Sequence, residues 1–489
     1  MIIKLKNALK HTAIYGLGNT ATKLIGIILL PLYTKELSVS EYGVLGILEI
    51  TIIILTQVLT MGQPLAFLRY HDLDNYILKR KSILFTQFSF VLALGLSFHI
   101  LGQYIAPRVA SFFSRPAEFT HFFKICIYII PLQIINILFL NVLRAKEKSS
   151  LYAIVSCLKF TTILGCNIYF VAHLRIGVLG ILYSYLTGEI VLLLLLIPLM
   201  IKEMTLKFDP GLLNLTLSFG FPLIFVSLAN MLLNMGDRYI LKFLVDYKEV
   251  GLYNLGYKFA GLMNMLLIQS FTLALLPIAQ KMYGKEGDKR FYTKMMTYLM
   301  FVLAWTGLAL SIFSREIIEI FTSNRAYWAS ADVVPFLVLA YLFSGAKSVA
   351  NLGLYLTAKT NYIAYNTIGA MILNIGLNFI LIPKFGMMGA AVATLLSFMV
   401  LFFTTIFCAN RFYRIPYENS KYLKLILLSI ILFLLSRVSN EMLPWLRIMI
   451  KVCLLIVYPF ILYFLNFYEN IEIETLKKNF LKIRQKLLR

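Results

Sequence analysis

Apolar stretches of about 20 residues recur along the chain, each closed by Gly, Pro or a cluster of charges. A helix needs about 20 apolar residues to cross the hydrocarbon core of a bilayer, so the pattern predicts membrane-spanning helices, about 14 in all. The first six lie near 12–34, 43–66, 83–106, 120–142, 151–171 and 177–200. The next six lie near 215–236, 250–276, 295–313, 333–357, 362–382 and 387–408, and two more near 422–439 and 445–466. The opening stretch, MIIKLKNALKHTAIYGLGNTATKLIG, has a basic front but no small-residue cleavage site after its apolar core. It reads as an uncleaved first span.

Composition agrees with that reading. Hydrophobic residues make up 60% and charged residues 14% of the chain, against roughly 45–50% and 25% in soluble domains. The formal charge of +23 would point to nucleic acid in a soluble protein, but here it reads as basic cytoplasmic loops. With the N-terminus inside, inner segments carry about 27 Lys and Arg and outer loops about 12, the bias that sets topology. Both termini are therefore expected in the cytoplasm. The tail IEIETLKKNFLKIRQKLLR places Ile473, Leu476, Phe480, Ile483 and Leu487 on one helical face. It fits either a helix lying on the inner leaflet or a solvated basic helix. Cys126, Cys157, Cys166, Cys408 and Cys453 all fall in apolar spans without metal-ligand spacing, and read as packing residues.

Two stretches are written twice. RIGVLGILYSYLTG begins at Arg175 and KFGMMGAAVATLLS at Lys384. Likewise SVSEYGVLG (Ser38–Gly46) aligns with DYKEVGLYN (Asp246–Asn254), sharing Glu41 with Glu249 and Gly43 with Gly251. The near-constant offset makes spans one to six repeat as spans seven to twelve. Six is even, so the copies share orientation, as in transporters whose site lies between parallel repeats. The predicted fold is an all-α polytopic membrane protein: two parallel six-helix repeats forming an N-lobe (1–200) and a C-lobe (201–410). Residues 411–489 would add two extra C-terminal helices and the basic tail.

The stretches LPLYTKELSVSEYGVLG, MGQPLAFLRY, DRYILKFLVDYKEVGLYNLGYKFAG, LPIAQKMYG and IPKFGMMGAAVATLLS resemble the Wzx-type polysaccharide flippases. These belong to the superfamily that also holds multidrug exporters and lipid II flippases. The resemblance covers spans one to twelve and specifies the family more than the cargo. It implies transfer of undecaprenyl-pyrophosphate-linked oligosaccharide from the inner to the outer leaflet of the bacterial inner membrane, for surface polysaccharide such as O-antigen, lipopolysaccharide or capsule. It also implies alternating access through a central cavity formed largely by spans one, two, seven and eight. Partners would be membrane lipids, a polysaccharide polymerase and a chain-length regulator, with no nucleic acid.

Charges inside spans are expensive, and those retained tend to face a bundle interior or a water-filled cavity. Lys and Arg suit a phosphate ligand. Lys23 sits one turn from Asn19 in the first span. Asn230, Asn234 and Arg238 form a polar stripe on the seventh, and Asn254 and Lys258 recur on the eighth. With Arg69 at the inner end of span two, these are the candidate substrate-binding residues. Lys159 and Glu189, at similar depths on neighbouring spans, read as a structural ion pair. Glu49 is a candidate gating or coupling residue, either paired with Lys258 across the lobes or carrying a proton or cation. Lys124, Lys424 and Lys451, nearer span ends, are expected to snorkel.

No P-loop, dinucleotide fingerprint or zincin motif appears, and the five histidines are scattered. No cofactor, metal site or catalytic residue is expected, which leaves an H+ or Na+ gradient or the membrane potential as the source of drive. The chain reads as a transporter and not an enzyme. A glycan polymerase would carry a large outer loop, absent here. The alternatives within the superfamily are a cation-coupled multidrug exporter and a lipid II flippase. A non-transporting assembly scaffold is a remote one.

Overall fold

A computed structural model describes residues 26–111, 116–470 and 472–474. Asn19, Lys23 and most of the first predicted span and of the basic tail lie outside the described residues. In chain order the α-helices are α1 (Leu30–Glu36), α2 (Val39–Leu59), α3 (Gln63–His71), α4 (Arg80–Ala110), α5 (Pro116–Ala145) and α6 (Ser149–Asn167). There follow α7 (Gly177–Ile201), α8 (Pro210–Met235), α9 (Asp237–Leu244), α10 (Tyr247–Met263), α11 (Gln269–Met282) and α12 (Asp288–Ile312). The chain ends with α13 (Ser314–Phe321), α14 (Val334–Ala350), α15 (Leu352–Leu356), α16 (Asn361–Phe412), α17 (Asn419–Val438) and α18 (Pro444–Phe464). No strand occurs among the described residues.

Eleven helical segments among the described residues are long and apolar enough to cross a membrane. One of them, α16, holds two predicted spans, joined at Gly386 where the backbone leaves helical geometry (φ 54°, ψ −133°). The predicted thirteenth span coincides with α17. The second span is shorter than its hydrophobicity predicts: α2 stops at Leu59, Met61 and Gly62 both take positive φ, and α3 starts anew. The apolar run continues through this break, so hydrophobicity alone does not register it. Leu101, Leu194, Phe379, Phe407 and Phe464 are exposed apolar side chains on these helices, as suits a multi-pass membrane protein whose helices satisfy their own backbone groups.

The described chain clusters into two compact units. The first comprises Met1–Lys258, Ile318–Ser330 and Ala364–Ser397. Its core gathers Phe67, Leu84, Val91, Leu138, Phe139 and Leu196, with α4 against α5 and α6 against α7. Local chemistry fixes the start of α2: Ser38 accepts from the Glu41 amide at 3.2 Å while the Ser38 amide donates to Glu41 Oε2 at 2.8 Å, a reciprocal capping box. The repeat carries the same position to Asp246, whose side chain accepts from the Glu249 amide at 2.8 Å. Glu249 is thereby released for another task and accepts from the Met387 amide at 2.7 Å, at the Gly386 break. Gly177 and Gly386, matched by the repeat, both sit at positive φ (57° and 54°), a conformation that costs a side-chain-bearing residue energy.

The second unit comprises Phe259–Ile317, Ala331–Ile363 and Phe398–Arg489. Within it α12 packs on α14 and α17, and α17 on α18. Lys451 does not snorkel as expected. It is 2% exposed and donates to Glu316 Oε1 at 2.6 Å, with Arg447 Nε at 2.9 Å from the same oxygen. A buried carboxylate on α13 holds the lysine inside, at lower cost than leaving either charge unpaired. A second cluster fastens the chain beyond α18. Lys294 bonds both Glu418, at 2.9 Å, and Glu469.

The Lys294 hydrogen bond is the largest influence holding the Glu469 carboxyl below its usual range of about 4.5. A carboxyl depressed on folding adds stability above its unfolded pKa and loses it as pH falls. Glu469→Gln should therefore flatten the drop in melting temperature between neutral pH and pH about 4, as followed by thermal unfolding of purified protein in detergent.

Candidate functional site

Inside the first unit lies a chamber of about 540 Å³. Its walls come from α2 (Glu49, Ile52, Ile53), α5 (Gln133), α6 (Ser156, Lys159), α7 (Tyr185, Glu189) and α10 (Lys258), with Gly26 ahead of α1. Six aliphatic residues share the lining with polar ones, and the charged groups fall into two lysine–carboxylate pairs. An ion pair inside a span is tolerated only when its partners meet and the remaining lone pairs are bonded, and the two pairs meet that requirement differently.

Lys159 Nζ stands 2.6 Å from Glu189 Oε1, and Asn136 Nδ2 donates to Glu189 Oε2 at 2.8 Å. Glu189 is 3% exposed and fully bonded. The other pair is loose. Lys258 Nζ lies 3.8 Å from Glu49 Oε2, beyond hydrogen-bond reach, with both side chains 21% exposed. Glu49 Oε1 is claimed instead by the Tyr185 hydroxyl at 2.6 Å. The Lys258 ammonium lies over the Tyr42 ring at 5.0 Å. Tyr185 and Glu189 are one turn apart on α7, so both carboxylates are served from one helical face. Lys258 is the cation less committed to its partner.

The predicted residues divide accordingly. Glu49, Lys159, Glu189 and Lys258 line one chamber. Lys159–Glu189 is present as an ion pair, but it faces the same space as Lys258 and is not remote from it. Arg238 is buried at 2% exposure and lies away from the chamber lining. It bonds Asp237 Oδ1 at 3.1 Å and the Asn234 carbonyl at 3.0 Å, with its guanidinium 4.1 Å over the Tyr257 ring. Asn230 and Asn234 turn their amides onto carbonyls one turn earlier, Val226 at 3.0 Å and Asn230 at 2.6 Å. Asn254 is buried at 6% exposure. Arg69 is exposed and stacks on Phe219 at 4.3 Å. Asn19 and Lys23 fall outside the described residues.

Sequence reasoning passed over two groups. Tyr185 is a tyrosine among many on an apolar helix, and its one signal is its position one turn before Glu189. Asp237 stands beside Arg238 at the start of α9. It is 1% exposed, accepts from Tyr253 at 2.5 Å and Thr394 at 3.2 Å, and neutralises Arg238. Adjacency to Arg238 was the available clue. Among the described residues no group of three or more His, Cys, Asp or Glu side chains could hold a metal ion.

A family model described as polysaccharide biosynthesis protein matches residues 8–283, and the MatE model matches residues 222–380. The fold is similar to that of the lipid II flippase MurJ in an inward closed conformation: TM-score 0.76, 16% identity, covering 92% of this chain and 99% of that one. It is also similar to an inward-facing multidrug resistance MATE transporter of the MOP superfamily, at TM-score 0.63 and 15% identity over 80% and 94% of the two chains. A MOP superfamily transporter from Pyrococcus furiosus, described as having a binding pocket of reverse polarity, matches at TM-score 0.58 and 16% identity over 83% and 95%. No curated protein matches the chain.

Breaking the tight pair should leave an uncompensated buried charge. Lys159→Ala is expected to cost about 3–5 kcal/mol of stability and to reduce accumulation in the membrane. Lys159→Met combined with Glu189→Leu should restore most of both, read by detergent melting curves and membrane levels. A Glu189→Gln protein that accumulates normally yet stops transport would assign the pair to coupling instead.

Proposed function

Since the chain belongs to the polysaccharide biosynthesis protein family, we propose that it flips undecaprenyl-pyrophosphate-linked oligosaccharide from the cytoplasmic to the outer leaflet of the bacterial inner membrane. Its fold is that of MOP superfamily transporters. The observation that carries the cargo reading is the loose Lys258–Glu49 pair facing the chamber. With no cargo, Glu49 offsets the ammonium. A pyrophosphate brings two negatively charged phosphoryl groups, which compete for Lys258 more strongly than a carboxylate already bonded to Tyr185. Lys23, on the first span, would be the second cation, and Arg69 would greet the headgroup at the inner end.

The same exchange links binding to movement. A ligand shifts a conformational equilibrium only by its differential affinity for the two states. Cargo that takes Lys258 frees Glu49 and removes one contact favouring the closed arrangement. Glu49, once free, is also the natural acceptor of a coupling proton. The drive would come from an H+ or Na+ gradient or the membrane potential. The termini would lie in the cytoplasm, and a polymerase and chain-length regulator would receive the product.

The MatE match over residues 222–380 and the two chamber carboxylates favour one rival, a cation-coupled multidrug exporter. Lipid II is a second possible cargo.

Lys258→Ala, and the Lys23→Ala, Lys258→Ala double variant, should lower translocation of lipid-linked oligosaccharide at least about tenfold, the loss of one charge-assisted contact of about 1.4 kcal/mol or more. Membrane levels should be unchanged. Surface glycan and outer-leaflet lipid-linked sugar in a flippase-deficient host are the readouts. Normal flipping by the double variant would reject the reading, and drug efflux without flipping would favour the exporter. Glu49→Gln should raise outside accessibility of a cysteine at Asn230 without cargo. Unchanged accessibility with a shifted pH profile would instead make Glu49 a coupling residue.

A further inference from the structure

Three connections of the first unit meet at the end where α4, α6 and α8 start: residues 72–79 after α3, 146–148 after α5 and 202–209 after α7. Lys81 Nζ, in the first turn of α4, donates to the Lys202 carbonyl at 3.1 Å, and the Thr205 amide reaches the Lys81 carbonyl at 3.5 Å. The Asp209 amide donates to Thr86 Oγ1 at 3.1 Å, and Lys146 pairs with Glu203. These bonds hold the three connections as one surface. Its composition is unusual for loops. Leu78 is 98% and Leu206 88% exposed, with Phe208 half-exposed beside them, and no residue of the short helix Asp74–Lys79 is buried. Lys79, Lys81, Lys148, Lys202 and Lys207 are exposed as well, and none forms an ion pair among the described residues. Most carboxylates there are already engaged. Asp72 meets Arg80 at 3.1 Å, and Asp209 accepts from two amides at the start of α8. The Lys146 hydrogen bond, opposed by burial and aided by the charges of Lys148 and Lys81, holds the Glu203 carboxyl below its usual range of about 4.5. Asp74 and Glu147 are left against five lysines.

We infer that this surface is a binding site for the headgroup of an anionic phospholipid, with Leu78 and Leu206 set among the acyl chains beside it. A leucine standing clear of the protein is unfavourable in water and favourable in hydrocarbon. Apolar side chains next to lysines are the pattern of an element lying in the membrane interface. The lysines supply the matching charge, since a headgroup phosphate accepts charge-assisted hydrogen bonds from ammonium groups. A free anion would have use for the lysines but none for the leucines. The position in the fold selects a lipid over a soluble partner, because each connection adjoins helices long and apolar enough to span a membrane. The surface therefore stands at headgroup level, where lipid is always present. The Lys and Arg bias expected of cytoplasmic loops turns it to the inner leaflet, whose negative surface attracts such residues. None of these residues lines the 540 Å³ chamber, so the bound lipid is distinct from the cargo. The inference does not depend on what the cargo is.

The test reads lipid binding and not transport. Delipidated full-length protein in detergent is titrated with phosphatidylglycerol, and native mass spectrometry counts the lipid retained against phosphatidylcholine as the neutral competitor. Phosphatidylglycerol should be retained preferentially. The triple variant Lys79→Gln, Lys202→Gln, Lys207→Gln should lose that retention at least about tenfold, since each Lys near an anionic surface contributes a factor of about five. Lys81 is left in place because it ties two connections together. A control triple, Lys281→Gln, Lys285→Gln, Lys289→Gln, removes the same charge at other exposed positions and should change retention less than about twofold, below the factor of about five for one site lysine. Inorganic phosphate should not displace the lipid. In a background lacking the native cysteines, an environment-sensitive dye on Leu78→Cys should be quenched by lipids brominated high on the acyl chain and shielded from aqueous iodide. Equal retention of the two lipids, or unchanged retention in the site triple, overturns the inference. So does displacement by phosphate, which would mark a free-anion site, or a dye open to iodide in phosphatidylglycerol liposomes, which would mark a surface for a soluble partner.

Discussion

Taking a charge out of water into the interior of a bundle costs more than most contacts return, and this one cost organises the polar interior of the protein. Each interior charge of the first unit named above has its answer nearby: Glu189 in Lys159 and Asn136, Arg238 in Asp237, Glu49 in Tyr185. The exception in degree is Lys258, whose carboxylate partner is 3.8 Å away. On the function proposed above, a site that receives an anion and releases it would leave its cation incompletely satisfied. Pairing is loose at Lys258 and tight at Lys159, 3.8 Å against 2.6 Å to the nearest carboxylate oxygen.

The two stretches matched in sequence serve different purposes. In the first copy Glu41 closes a capping box on its own helix with Ser38. In the second, Asp246 caps alone and Glu249 reaches the Met387 amide beside the left-handed Gly386. The matched residues keep their backbone roles while side-chain bonding diverges. The match survives where it is steric, at Gly43 with Gly251, where an added Cβ would overlap the facing backbone, and at Gly177 with Gly386, where positive φ favours glycine. It is lost where a hydrogen bond can be replaced by another.

Much of this was written in the sequence. Apolar runs of spanning length gave the all-helical membrane fold, because a bilayer admits few other solutions. The offset between Ser38–Gly46 and Asp246–Asn254 exposed the repeat, and depth along the spans placed Lys159 with Glu189. Other features depended on tertiary structure. Arg238 is buried beside Asp237, Lys451 is drawn inward by Glu316 over a long sequence separation, and Tyr185 reaches Glu49 from another helix. Periodicity reports which face of a helix is apolar, not which neighbour that face meets. A partner's identity, and whether it stands at 2.6 Å or 3.8 Å, is set by how helices distant in sequence pack together.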